Sequence, residues 1–95
     1  MTGVTRLGDT ANNIHDGGTF VNDTASENVY VNDKAVHRVG DHWVPHKLGN
    51  GSHETTSANG SSTVFINNKA VMRIDDTTEC GSKVLTGSDN VEVGK

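Results

Sequence analysis

With 95 residues, 32% of them hydrophobic and only four aromatic (Phe20, Tyr30, Trp43 and Phe65), the chain is expected to be one domain, residues 1–95, with a poor apolar core. A net charge of −4 without a basic cluster excludes nucleic acid as a partner, and no apolar run approaches a signal h-region or a membrane span. A soluble chain made in the cytosol is therefore expected, and one that needs a staple. Fixing the backbone costs about 1–2 kcal/mol per residue, which so little apolar burial does not offset.

In chain order, the first recognisable segment is Val4–Asp9, VTRLGD, a strand running into a Gly-Asp turn. A loop rich in Gly, Ser, Thr and Asn follows from Asp9 to Ser26 and carries His15. The segment Asn28–Asp41, NVYVNDKAVHRVGD, reads as a hairpin. Its strands are Val29–Val31 and Ala35–Val39, and Asn32-Asp33 tolerate the left-handed conformations of a tight turn. The longest loop, Asp41–Ser61, holds His42, Trp43, His46 and His53. Thr63–Asp76, TVFINNKAVMRIDD, is a second hairpin with strands Val64–Ile66 and Ala70–Ile74 around Asn67-Asn68. A third loop, Asp76–Ser88, contains Cys80, and a short strand, Asn90–Val93, follows. No helix is indicated. Val36, Val39, Val71 and Ile74 are the expected buried positions, with a bulge or bend between those three apart. His37, which replaces Met72 in register, is expected at the surface, and Trp43 beneath the middle loop.

The two hairpin segments share half of their fourteen positions, and most of the others are conservative. A third copy is cut in two: VTRLGD matches VHRVGD and VMRIDD, while NVEV (Asn90–Val93) matches NVYV and TVFI. Ser26, Ser61 and Ser88 lead the three copies. The strand near Val91 should thus pair with that near Val4, bringing the termini together. Three hairpins in pseudo-threefold array send the three loops to one end. Arg6, Arg38 and Arg73 recur once per unit and are expected to pair with Asp9, Asp41 and Asp76 rather than to bind a partner.

That arrangement gathers potential ligands. His15 follows Asp9 by six residues, His46 follows Asp41 by five, and Cys80 follows Asp76 by four. A lone cysteine cannot form an internal disulfide, so the staple to expect is a metal. His42 or His53 completes a set of three imidazoles and one thiolate, which suits a tetrahedral Zn²⁺, with iron as the alternative ion. His53 is preferred: its glycine-flanked approach, Gly49-Asn50-Gly51-Ser52, can double back toward His46, whereas His42 abuts the strand end. Four protein ligands leave no open position, so a structural ion and no enzymatic activity are expected.

The units, with KAVHRVGD and KAVMRIDD, the GDHWVPH loop, His15-Asp16-Gly17-Gly18 and Cys80-Gly81-Ser82 before Gly87-Ser88, resemble PAAR repeats over nearly the whole chain. The sequence departs at Asp33 and Asn68 (usually glycine), Ala35 and Ala70 (usually proline) and Asp75 (usually glycine). The resemblance implies an all-β, pseudo-threefold cone of three β-hairpin repeats with long loops, zinc-stapled near its apex by His15, His46, His53 and Cys80. It implies a structural tip that caps and sharpens a trimeric β-helical, membrane-piercing spike, one chain per trimer through the cone base, with transient contact to a target outer membrane and no small-molecule substrate. Such tips serve contractile phage tails and type VI secretion systems. Because Lys95 follows the last strand at once, with no effector domain, the virion tail spike is the preferred location. Two rivals remain: a small zinc hydrolase using Asp16, Glu54 or Glu79 as base, and a free-standing zinc-binding module.

Overall fold

The computed structural model describes residues 2–15, 17–49 and 51–94. Among them there is no helix, and ten short strands follow in the order β1 (Thr2–Gly3), β2 (Thr10–Asn12), β3 (Thr19–Val21), β4 (Tyr30–Val31), β5 (Lys34–Ala35), β6 (His42–Leu48), β7 (Gly51–Thr56), β8 (Phe65–Ile66), β9 (Lys69–Ala70) and β10 (Glu92–Val93). They form five antiparallel two-stranded ribbons: β1–β10, β2–β3, β4–β5, β6–β7 and β8–β9.

Three ribbons come from the repeat units. The β4–β5 and β8–β9 hairpins close through Asn32-Asp33 and Asn67-Asn68, all four residues with φ between 55° and 66°. Such turns match the right-handed twist of the flanking strands, and Asn and Asp enter this region at lower cost than other side chains. The third ribbon joins the chain ends, Thr2 opposite Val93 and Gly3 opposite Glu92, as the split repeat requires. Each unit opens on a buried serine whose Oγ accepts the N–H groups two and three residues on: Asn28 and Val29, Thr63 and Val64, Asn90 and Val91.

The units are locked into a ring. Bridges Val4↔Arg73, Arg6↔Val36 and Arg38↔Val71 tie each unit to both others. At the centre the Thr5 N–H donates to the Met72 carbonyl at 2.9 Å, the Met72 N–H to that of His37 at 3.1 Å, and the His37 N–H to that of Thr5 at 3.0 Å. A second closed circuit runs from Leu7 to Ala35, Val39 to Ala70 and Ile74 to Gly3, at 2.8, 2.8 and 3.0 Å. These circuits define the pseudo-threefold axis, and the overall extents of 38 × 24 × 22 Å, one long and two nearly equal, fit it.

Successive residues point oppositely along an extended chain, so the ring faces two apolar clusters. Val4, Val36 and Val71 form one, with Val29, Val31, Val64, Ile66 and Val93 packed around them. The other, on the side of the loops, consists of Ala11, Phe20, Trp43, Met72 and Val84. Val36 and Val71 are buried as expected, but Val39 and Ile74 are only half-buried. They stand where the chain turns away through Gly40 (φ 90°) and Asp75 (φ 76°).

The arginines pair as expected. Each places Nε and one terminal nitrogen on the two carboxylate oxygens of the aspartate three residues on, at 2.8–3.1 Å. The other terminal nitrogen crosses to another unit: Arg6 to Asn32 Oδ1, Arg38 to Asn67 Oδ1 and Arg73 to the Gly94 carbonyl.

Two expectations need correction. The segments read as loops carry strands of their own: the first folds into β2–β3 and the second into β6–β7, which contains the longest strands among the described residues. His37 is not at the surface but fully buried on the axis. Its exchange with Met72 in the repeat reflects unlike surroundings below the ring, not solvent. Met72 joins the apolar cluster, whereas His37 finds polar partners: Nδ1 donates to the Thr24 carbonyl at 2.9 Å, and Nε2 faces Ser57 Oγ, which also accepts from Trp43 Nε1 at 2.8 Å.

That network is satisfied by a neutral ring, with the Ser57 hydroxyl donating to Nε2. Burial, with the nearby Arg38 charge, outweighs Asp41 and the Thr24 carbonyl and lowers the His37 pKa to about 4. The unfolded chain therefore binds this proton more readily between pH 6.5 and 4. Stability should be fully present above pH 6.5 and fall by roughly 3 kcal/mol as pH drops to 4. Urea unfolding of wild type and His37→Met across that range checks this: the substitution should flatten the curve, and an equal slope in both would refute it.

Candidate metal centre

Each loop builds one wall of a single site. In the first, Gly17 and Gly18 take φ of 80° and 77° and bring Thr19 opposite Asn12, while Asn13 Oδ1 accepts the His15 N–H at 3.0 Å. The Asn13 amide also donates to the Lys47 carbonyl at 3.0 Å, tying this loop to β6.

In the second loop the pairing shifts between Trp43 and His46: Trp43 faces Thr55 and His46 faces His53, so Val44 and Pro45 oppose Glu54 alone. This is a β-bulge, made easy by a proline with no N–H to pair. Without the extra residue, Trp43 and His46 would point to opposite faces; with it both point inward, 0% and 5% exposed. His53 is then the direct cross-strand partner of His46, and Gly49 (φ 59°) takes the turn. Asn50 and Asp16 lie outside the described residues.

In the third loop Cys80 is the apex of a tight turn. The Thr78 N–H donates to the Ser82 carbonyl at 2.8 Å, and the Ser82 N–H donates back to Thr78 Oγ1 at 3.1 Å. The Cys80 N–H donates to Thr55 Oγ1 on β7 at 3.2 Å.

The donors of His15, His46, His53 and Cys80 all lie within 4.8 Å of one another. His53 Nε2 is 2.8 Å from His46 Nε2, which is 3.7 Å from Cys80 Sγ. A tetrahedral zinc with ordinary bond lengths has edges of about 3.3 Å between nitrogens and about 3.6 Å between nitrogen and sulfur, so small side-chain shifts would seat it. Among the described residues the buried His15 Nε2 has no hydrogen-bond partner, the state of a lone pair directed at a cation. Burial opposes the Cys80 thiolate, but Thr78, His15, Ser82 and Thr55 outweigh it and bring the thiol to about 5. A sulfur already biased toward the thiolate is a ready ligand. The residues present fit a closed N₃S site.

His42, the rival for the fourth position, is turned elsewhere. Its Nδ1 meets Asp23 Oδ1 and its Nε2 meets Glu54 Oε1, each at 2.6 Å, and its hydrogen bonds to Asp23 and then to Glu54 raise its pKa. Glu54 is thereby engaged with His42, and Glu79 is exposed. Sequence reasoning missed Asn13, Thr55, Phe20 and the hydroxyls of Thr78 and Ser82. Only the last pair left a signal, flanking Cys80 symmetrically two residues away on each side.

Residues 7–86 match the family model of the PAAR motif. The chain belongs to the PAAR family. No curated protein sequence matches it. PAAR proteins are structural spike-tip proteins of contractile injection systems that associate with spike proteins, and membership assigns this general role to the chain. The all-β fold and the His/Cys quartet are what that family leads one to expect.

Proposed function

We propose that the chain, acting as one PAAR domain, caps a trimeric β-helical spike, one copy per trimer, and that zinc held by His15, His46, His53 and Cys80 stiffens its point. The observation that carries this reading is the pair of closed three-bond circuits. They give a single chain an axis that matches a threefold partner. The hairpin end supplies the base: Val29, Val31, Val64, Ile66 and Val93 ring the axis, Tyr30 and Phe65 are exposed, and the strand edges there are open to pairing. The loop end is the apex, where the ion ties three polar loops together. Its role is mechanical. Contraction drives the spike, and a rigid point concentrates the force on the target's outer membrane.

Mixing the purified chain with a trimeric β-helical spike protein tests this. One chain should bind per trimer by light scattering, and Val31→Asp should weaken the complex while leaving the zinc content unchanged. Three chains per trimer, or no complex, would refute it. The same geometry serves a phage tail and a type VI spike, and a neighbouring baseplate or secretion gene distinguishes them.

A further inference from the structure

We infer that Phe20 is the positioning residue of the metal centre, holding the His46 ring in its ligating orientation by face-to-face stacking. The inference rests on the metal reading above. A histidine that binds a metal through one ring nitrogen is ordinarily fixed by a hydrogen bond from the other. Among the described residues His46 lacks that tether: its Nδ1 is buried and has no hydrogen-bond partner there, while its Nε2 faces His53 and Cys80. The ring that lies nearest to it is Phe20, whose plane is 14° from that of the imidazole with centroids 3.8 Å apart, against 4.4 Å for the edge-on His53 and 5.7 Å for the parallel His15.

Phe20 is itself held firmly. It is 6% exposed, lies opposite Ala11 in the β2–β3 ribbon, and meets Trp43 edge to face at 5.5 Å. Trp43 in turn is fully buried and bonded through Nε1 to Ser57. Rotating His46 about its Cβ–Cγ bond would swing Nε2 out of the site and push the ring into this wall. Ion binding also strengthens the contact, because an imidazole that has donated its lone pair to a cation is electron-poor and is attracted to the negative face of a phenyl ring. An aliphatic side chain would fill the space without supplying that flat, negative surface.

The test compares Phe20→Leu, Phe20→Tyr and a variant with pentafluorophenylalanine at position 20. Zinc affinity is read by competition with a chromophoric chelator, and ligand geometry by the visible absorption of the Co²⁺ form. Phe20→Leu should bind zinc roughly 10- to 100-fold more weakly, the usual cost of losing a ligand's outer support, with altered cobalt bands, and Phe20→Tyr should restore both. The fluorinated ring keeps the shape but reverses the charge of the face, so it should also weaken binding, and it carries the test if Phe20→Leu does not fold. Wild-type affinity and cobalt spectra in both the leucine and fluorinated variants would overturn the inference. If the wild-type chain takes up neither ion, the metal reading itself fails and the inference falls with it.

Discussion

Replacing Cys80 with serine is expected to strip the zinc and lower the melting temperature by more than about 15 °C. For a chain of this size each kcal/mol of lost stability shifts the midpoint by about 4–8 °C, and closed structural zinc sites bind with about 10–16 kcal/mol at neutral pH. His15, His53 and Cys80 are only half-buried, and the residues around them are polar. Nearer the ring the loops are joined by the cluster of Ala11, Phe20, Trp43 and Val84 and by the bridges Ala11↔Val84, Asn22↔Trp43 and Ser57↔Thr78. At the site itself the ties are single bonds such as Asn13 to Lys47 and Cys80 to Thr55. A chelator should act like the substitution. His53→Ala should behave as Cys80→Ser does, whereas His42→Ala should keep its metal, because His42 is engaged by Asp23 and Glu54. Metal analysis and calorimetry on the three variants decide the matter. Full zinc content and an unchanged melt in Cys80→Ser would remove that residue from the site.

Asp41→Ala should be the most damaging of the three aspartate substitutions, costing about 3–5 kcal/mol, the range for breaking a buried pair by removing one partner. The Arg38–Asp41 side chains are 10% and 6% exposed, less than those of Arg6–Asp9 or Arg73–Asp76. Asp41 accepts from the Arg38 N–H, Nε and a terminal nitrogen, and from Thr24 Oγ1. Its removal leaves a guanidinium with little access to water. Burial alone would raise the Asp41 pKa, but the Arg38 bonds outweigh it and the net shift is downward. Its contribution is therefore complete above the ordinary carboxylate range and is lost only as pH falls through that range, below the window in which His37 acts. Chemical unfolding at pH 7 tests the ranking. An Asp41→Ala cost under about 1 kcal/mol, the level of an exposed pair, would show that the pair contributes no more than a surface contact.

Features that rest on local rules were legible in the sequence. Asn32-Asp33 and Asn67-Asn68 announce left-handed turns by residue type alone, and the i,i+3 spacing of Arg38 and Asp41 announces their pairing. The repeat register located His15, His46 and Cys80 at one end, and the glycines around Asn50 favoured His53 over His42. What escaped depends on contacts between distant segments. The burial of His37 is set by Thr24 and Ser57, which no pattern links to it. The bulge at Val44-Pro45 decides which way Trp43 and His46 point, yet in a loop of mixed composition it has no periodic signature. Phe20 lies in a polar stretch, and its partner ring, His46, lies in another loop, so no local pattern couples the two.

The circular linkage of the three units has a consequence for how the molecule is made. Residues 2–4 meet their partners only when residues 91–93 are available, and Val4 also bridges to Arg73. The ring therefore cannot close until residue 93 has left the ribosome, and Cys80 arrives after His15, His46 and His53. A topology so dominated by sequence-distant pairings folds slowly compared with one built from local contacts. The nascent chain must hold its first strand unpaired until about ninety further residues have been made.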